Sequence, residues 1–379
     1  MKWLRWIFGN LVIFLALYIV IEVAYSGYCY LFALPTSFWT FEHPGRTIQF
    51  DSYRGFFLTT TPSRYARITR GVVEYVGTLQ GNAQGFPDRD DFSPARPSAN
   101  QRRYAVLGDS FTAAQYIQCN WPDKAEDLYL EGRQALQLLN FSIDGGGLAN
   151  WASIIRNILA KDRYQLDGLI FAVHPADLYR KFFVADQIDS QTLAFGRVDK
   201  WDIAVQPKAL ADARQFLKDK PLPNTFILSS TEFDAALLGH WRPPRKWEFR
   251  ITSSVWQILE PALTPRSAFP TTLEPGQLAL IKEIRRFADE QALPILVVYI
   301  PNRDELLRPG RSTGIEMVKR FSEMLGAKFL DGRQAFRGLS RQQIKACWLP
   351  YDGHWNQLGS DRFAQLMSQE IRTWPPPAR

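Results

Sequence analysis

The stretch AVLGDSFTAAQ, residues 105–115, decides how this chain is read. Tyr104 to Leu107 suit an extended strand with a buried look. The run stops at Gly108, Asp109, Ser110 and Thr112, small and polar residues that make a sharp turn into a helix. In open parallel sheets, ligands bind beyond the carboxyl ends of the strands. A serine at such an end, backed by a helix N-terminus, stands where a developing negative charge is favoured. Strand–nucleophile–helix turns of serine hydrolases follow the same logic, and a plain N-cap serine fits the same residues.

Strands and helices alternate from that point on. After RYAVLGD comes the helical EDLYLEGRQALQL, then a strand within residues 136–143 and the helical NWASIIRNILAKD. LDGLIFAVHP is a strand whose apolar run suits burial on both faces. LEPGQLALIKEIRRFADEQA is an amphipathic helix leading into the strand of residues 293–301. STGIEMVKRFSEMLG is helical, AKFLD a short strand, and NQLGSDRFAQLMSQEIRT the closing helix. This rhythm implies an α/β fold with a parallel sheet covered on both faces. Residues 180–272 interrupt it and read either as a lid beside the ligand edge or as a small packed subdomain. Residues 31–100, rich in turn signals such as HPGR and DDFSPARPSANQRR, read as a tether with some packed structure. The expected organisation is residues 1–30 as an anchor, 31–100 as tether and 101–379 as the main domain.

The chain has 379 residues and is 46% hydrophobic, enough to bury a core. Lys and Arg number 45 against 38 Asp and Glu, a net charge of +7 that is scattered rather than blocked. The nearest basic patch is RPPRKWEFR, residues 242–250. It suits a solvated face, and no nucleic-acid motif accompanies it. Trp6 to Ala24 is almost wholly apolar and would span about 28 Å as a helix. Lys2 and Arg5 precede it, and no Lys or Arg follows until Arg46, which places Met1 in the cytoplasm and the body outside it. A cleaved signal peptide ending near Ala24 to Ser26 is the rival, but the apolar run is longer than an ordinary h-region.

A nucleophilic serine needs a base. The four histidines are His43, His174, His240 and His354. His354 lies in YDGHWNQLGSDRFA, just before the last helix, with Asp352 two residues upstream. A carboxylate there can orient the imidazole, and the imidazole can take the serine proton.

GDS after the first strand, together with Asp-x-His-x-Asn-x-x-Gly before the last helix, resembles the SGNH (GDSL-like) hydrolase superfamily over roughly residues 80–375. NAQGFPDRD, Asn82 to Asp90, resembles a segment found before the serine in membrane-anchored bacterial members. NFSIDGGG, Asn140 to Gly147, resembles the second block. The resemblance implies a three-layer, flavodoxin-like α/β/α sheet. It implies Ser110 as nucleophile, His354 as base, Asp352 as orienting acid, and the N–H groups of Ser110 and Gly145 as the oxyanion hole. The family's usual spacing is Asp-x-x-His; the shorter Asp-x-His occurs in acetylation-related relatives. The third block departs: VHPADLYR puts Ala176 where an asparagine donor belongs, and His174 is the candidate substitute donor.

The resemblance further implies an esterase, or an acyltransferase with a membrane partner protein, acting on O-acyl groups of envelope or exported polysaccharide. A bacterial inner-membrane protein with a periplasmic body is expected. Ala176 also admits a non-catalytic glycan-binding or scaffold member. Trp201, Trp241, Trp247 and Trp256 in the insertion suit stacking on sugar rings. Of the three cysteines, Cys119 follows Ser110 and Cys347 precedes His354, so a disulfide between them is a candidate, while Cys29 sits at the end of the apolar run. No CxxC, HExxH or EF-hand pattern occurs, and no cofactor or metal is expected.

Overall fold

The computed structural model describes residues 2–31, 38–45, 48–51, 53–69, 71–129, 136–187, 193–198, 201, 211–215, 225–241, 247, 249, 251–252, 255, 272–308 and 314–374. The first helix runs Lys2–Leu31. Its stretch Trp6–Leu31 has 26 residues and a mean hydropathy of 2.4, so by length and composition it can cross a membrane or act as a signal sequence. Glu22, near its C-terminal end, accepts hydrogen bonds from the backbone N–H groups of Ile251 at 3.0 Å and Thr252 at 2.6 Å. The insertion is thereby fastened to the helix.

Five strands follow: β1 (Phe38–His43), β2 (Ile48–Asp51), β3 (Gly55–Leu58), β4 (Ser63–Thr69) and β5 (Val72–Leu79). In its described residues, 38–79 is therefore mostly short strands that carry charges, and one essential partner, β11 (Thr225–Ile227), is remote in sequence.

The main sheet uses β6 (Arg102–Leu107), β7 (Leu136–Asn140) and β8 (Gly168–Val173). The chain then leaves it for β9 (Phe183–Gln187), β10 (Leu193–Arg197) and β11 (Thr225–Ile227), and returns with β12 (Ile295–Tyr299) and β13 (Lys328–Asp331). Its order is β13-β12-β8-β6-β7, with every neighbouring pair parallel. Read from β7, this is the 2-1-3-4-5 order of a flavodoxin-like sheet. Side-chain alternation sorts the strands into two cores. Ala105, Leu107, Leu169, Phe171 and Val297 pack under helices Leu148–Ile154, Pro275–Glu290 and Ile315–Leu325. Tyr104, Val106, Ile170, Leu296 and Val298 pack under helices Trp121–Leu128, Arg341–Ala346 and Gln357–Thr373. The expected three-layer α/β/α architecture is the observed one.

A second sheet, ordered β11-β1-β4-β5, joins the N-terminal strands to the insertion. β1 pairs antiparallel with β4 and parallel with β11, which sets Thr40 beside Arg67 and Thr225, and Glu42 beside Tyr65 and Ile227. One face buries Trp39, Phe41, Ala66 and Ile68 against Leu228, Phe233 and Ala236, the last two from helix Ser230–Leu237. The opposite face carries Phe38, Thr40, Glu42, Tyr65, Arg67 and Tyr75. It lies over the Ser110 turn. Gly77 permits the close approach, since a Cβ there would stand 2.7 Å from the Gln115 carbonyl oxygen. In its described parts the insertion thus both completes a packed sheet and borders the ligand edge.

Candidate active site

β6 ends at Leu107, and the short helix Ser110–Ala113 starts with Asp109 as its N-cap. The Asp109 carboxylate accepts the Phe111 N–H at 3.0 Å, which fixes the turn and puts Ser110 at its tip. Arg180 locks the turn from behind. Its guanidinium lies 2.9 Å from Asp109 and 2.6 Å from Asp177 and donates to the Gly146 carbonyl at 3.0 Å. Burial alone would raise the Asp109 pKa, but the charges of Arg180, His174 and His354 hold it low.

Ser110 Oγ lies 2.6 Å from His354 Nε2, although 244 positions separate them in the chain. The other ring nitrogen, Nδ1, donates to Asp352 Oδ1. The same oxygen accepts the His354 backbone N–H at 3.0 Å. An Asx-type turn is the reason the two-residue spacing works: one carboxylate oxygen serves the backbone and the ring of the residue two positions on. Phe111 and Tyr116 flank the imidazole, with ring centroids 4.7 and 5.0 Å from it. Burial would lower the His354 pKa; the hydrogen bond and charge of Asp352, backed by Asp144 and Asp109, outweigh it and raise the value. Asp352 is itself held far below the usual carboxylate range, because its contacts with His354 and Arg67 overcome burial.

The second sheet supplies the rest of this arrangement. Arg67 on β4 binds the outer oxygen of Asp352, Oδ2, and stacks 4.0 Å over the Phe38 ring. Glu74 on β5 accepts the N–H groups of Tyr351 at 2.7 Å and Asp352 at 2.8 Å. The loop that carries the acid is therefore held by strands lying before the main domain in sequence. Arg67, Glu74 and Arg180 escaped the sequence reading. SRYARIT carries Arg64 and Arg67 three positions apart, on opposite faces of a strand, and nothing local tells which of them meets a carboxylate.

Among the described residues, no group of the protein takes up the N–H of Ser110 or of Gly145. Gly145 has φ +70°, and a Cβ on it would stand 2.8 Å from the Phe183 ring, so only glycine fits. Ala176 offers a methyl where the third block usually holds an amide, and its own N–H donates to His174 Nδ1 at 3.3 Å. That bond places the His174 proton on Nε2, which donates to Asn302 Oδ1 at 2.8 Å. His174, the candidate substitute donor, has both ring nitrogens occupied and its ring stacked on Phe111. Asn82 also plays a structural part, its side-chain Oδ1 accepting the Phe86 N–H at 3.0 Å.

Ser110, His354 and Asp352 open into a cavity of about 630 Å³ between the two sheets. Phe38, Tyr65, Tyr75, Tyr116 and Phe183 form much of its wall, joined by Glu42, Arg67, Asp144 and Arg197. Another cleft, of about 930 Å³, lies at the opposite edge of the strands beside Tyr164 and Leu293 and holds none of the three. Of the insertion tryptophans, Trp201, Trp241 and Trp247 do not line the cavity. Trp201 donates to Glu274 at 2.9 Å, Trp241 packs on Phe41 with centroids 5.2 Å apart, and Trp247 lies 5.9 Å from Tyr30. Trp256 and most of residues 242–250 fall outside the described residues. The aromatic walls come instead from the second sheet, the Ser110 turn and β9.

Cys29, Cys119 and Cys347 are all free thiols, so the candidate Cys119–Cys347 bridge is not formed. The Cys119 thiol turns to the Asn120 carbonyl, and the Gln357 amide binds both backbone groups of Cys119 at 3.0 Å. Cys347 caps helix Arg341–Ala346 and is buried in the core. Denatured without reductant, the chain is expected to titrate three thiols; a single titratable thiol would restore the bridge.

No family model matches the chain, and no curated protein matches it in sequence. Solved structures similar to it include a lipase/acylhydrolase from Enterococcus faecalis, at 10% identity and TM-score 0.35, covering 73% of this chain and 99% of that one. A GDSL-like lipase from Bacteroides thetaiotaomicron has 9% identity and TM-score 0.34, covering 73% and 91%. A catalytic mutant of an acetylxylan esterase from Geobacillus stearothermophilus has 10% identity and TM-score 0.35, covering 75% and 100%. With every score below 0.5, the functional reading rests on the site's own geometry.

Proposed function

We propose that the chain is a serine ester hydrolase of the SGNH type, with Ser110 as nucleophile. The observation that carries this is the 2.6 Å contact of Ser110 Oγ with His354 Nε2, the imidazole being oriented by Asp352 at the mouth of a roofed cavity. In this reading Nε2 takes the Ser110 proton as Oγ attacks the ester carbonyl. The resulting oxyanion is held by the N–H groups of Ser110 and Gly145. His354 gives its proton to the departing alcohol, leaving an acyl-serine. Water, activated by the same imidazole, then releases the carboxylic acid and restores Ser110. If a sugar hydroxyl replaces water, the identical steps give O-acyl transfer, and the cavity between the sheets has room for such an acceptor. O-acyl groups of envelope or exported polysaccharide are the proposed substrates. The N-terminal helix would anchor the protein in a bacterial inner membrane with its body in the periplasm, where a membrane partner protein would supply acyl groups for transfer.

Ala176 favours a second reading, a member that binds glycan without turnover, because loss of one oxyanion donor costs about a hundred- to a thousand-fold in rate. One experiment separates them. The full chain in detergent is exposed to a fluorophosphonate and weighed intact. Wild type is expected to gain one adduct, Ser110→Ala none, and His354→Ala little over the same time. Absence of any adduct on folded wild type would move the assignment to the non-catalytic reading.

A further inference from the structure

Glu42 is a buried carboxyl at the cavity wall with one oxygen left unpartnered. Only 1% of the residue is exposed, yet Oε2 has no hydrogen-bond partner among the described residues. Buried polar atoms in native proteins are nearly always paired, so an orphan carboxyl facing a cavity points to a ligand that pairs it. The β1 register puts Glu42 on the same face as Phe38 and Thr40, toward the space in front of Ser110. Across the strand pair stands Tyr65, whose hydroxyl accepts from Tyr75 at 2.9 Å and keeps its own hydrogen for another acceptor. The buried Tyr116 hydroxyl is also unpartnered. The polar atoms of this wall are thus mainly acceptors and hydroxyls set among aromatic faces.

Charge decides what they can bind. Two guanidinium groups, Arg67 and Arg197, line the same cavity, the first tied to Asp352 and the second to the carbonyls of Lys181 and Gly145. They oppose a cationic ligand, and the acceptor oxygens of Glu42 and Asp144 offer little to an anionic one. A neutral ring with hydroxyl groups suits both: its hydroxyls donate to the carboxyl, and its C–H faces meet the aromatic rings. Resting on the reading of Ser110 as nucleophile, we propose that Glu42 is a specificity residue that accepts a hydrogen bond from a free hydroxyl on the alcohol part of the ester. The substrate class is therefore a partly acylated polyol or sugar with neighbouring hydroxyls unblocked, and a simple alkyl ester falls outside it.

The test uses the full chain in detergent, carrying Ser110→Ala so that no turnover is involved. Its ligands are a mono-O-acetyl methyl hexopyranoside and the same compound with the other hydroxyls methylated, followed by calorimetry. The free-hydroxyl compound is expected to bind at least ten-fold more tightly than the methylated one. Glu42→Leu is expected to erase that preference, and Glu42→Gln, which keeps an acceptor oxygen, to recover part of it. Equal binding of the two compounds, no binding of either, or a preference that survives Glu42→Leu overturns the proposal. Folding is checked independently. Burial pushes the Glu42 pKa up to about 7, with Tyr65, Arg67 and Asp144 as the nearby titratable groups. The folded state therefore favours the protonated acid, and its stability is lost as pH rises from the unfolded pKa through about 7. Glu42→Leu should consequently melt higher than its parent, and by more at pH 8 than at pH 5. Fluorophosphonate labelling of wild type reads the Ser110 assignment separately, so either can fail alone.

Discussion

Asp352→Asn is expected to lower kcat by about four orders of magnitude on any ester the protein cleaves, with KM little changed. Both oxygens of this carboxylate are committed, Oδ1 to the backbone and ring of His354 and Oδ2 to Arg67. An amide keeps the shape. Its NH2 group, however, cannot accept from Nδ1–H, and if its oxygen is turned to the ring the NH2 faces the Arg67 guanidinium. Either way the imidazole loses the tautomer or the position that lets Nε2 take the Ser110 proton. The pH profile adds a sign. In wild type the carboxylate raises the His354 pKa despite burial, so activity is present at alkaline pH and falls as pH drops through a value above 6.5. With the charge gone, burial dominates and the acidic limb of the remaining activity moves to lower pH. Steady-state rates from pH 5 to 9 on a soluble acetyl ester would decide it. A variant within ten-fold of wild type, or a limb that stays in place, would remove Asp352 from the mechanism.

The main sheet was legible because its strands are buried on both faces. VLGD and ILVVY are apolar runs that end in turn residues, and that pattern survives without knowledge of partners. Ser110, His354 and Asp352 were legible for a related reason: each lies where the α/β rhythm brings a loop to the ligand edge. The roof was not. β1 takes its parallel neighbour from Thr225–Ile227, and a backbone ladder across that separation leaves no trace in either segment. The alternation in FWTFEH was present, with Phe38, Thr40 and Glu42 on one side and Trp39 and Phe41 on the other. Nothing local told which side met the cavity. The cysteines could not be paired from sequence, because nearness to Ser110 and His354 says nothing of where a thiol points. Composition alone could not tell a sugar-stacking tryptophan from a packing one, and Trp241 packs against a core of the second sheet.

Arg67→Met is expected to lower kcat on the order of a hundred-fold while leaving KM for a small acetyl ester nearly unchanged. Arg67 reaches Ser110 only through Asp352 and His354, so it is a positioning residue, and it comes from β4 rather than from the main domain. Methionine keeps the packing over Phe38 but removes the bond to Oδ2 and the charge beside Glu74, which lies 3.6 Å away. The carboxylate then keeps only its Oδ1 bonds to His354, with nothing fixing Oδ2, although Glu74 and Arg303 still hold the loop. A general loss of structure would also lower the rate, so the pH limb is the deciding readout. Removing a cation from beside Asp352 strengthens the carboxylate's hold on the imidazolium, raises the His354 pKa further, and moves the acidic limb to higher pH. This is opposite to the shift expected for Asp352→Asn. Arg67→Lys, which restores charge without the forked donor, should return the limb toward wild type and recover only part of kcat. Opposite displacement of the two limbs would make the second sheet part of the catalytic unit. Displacement in the same direction, or none for Arg67→Met, would reduce that sheet to a cover over a site that works without it.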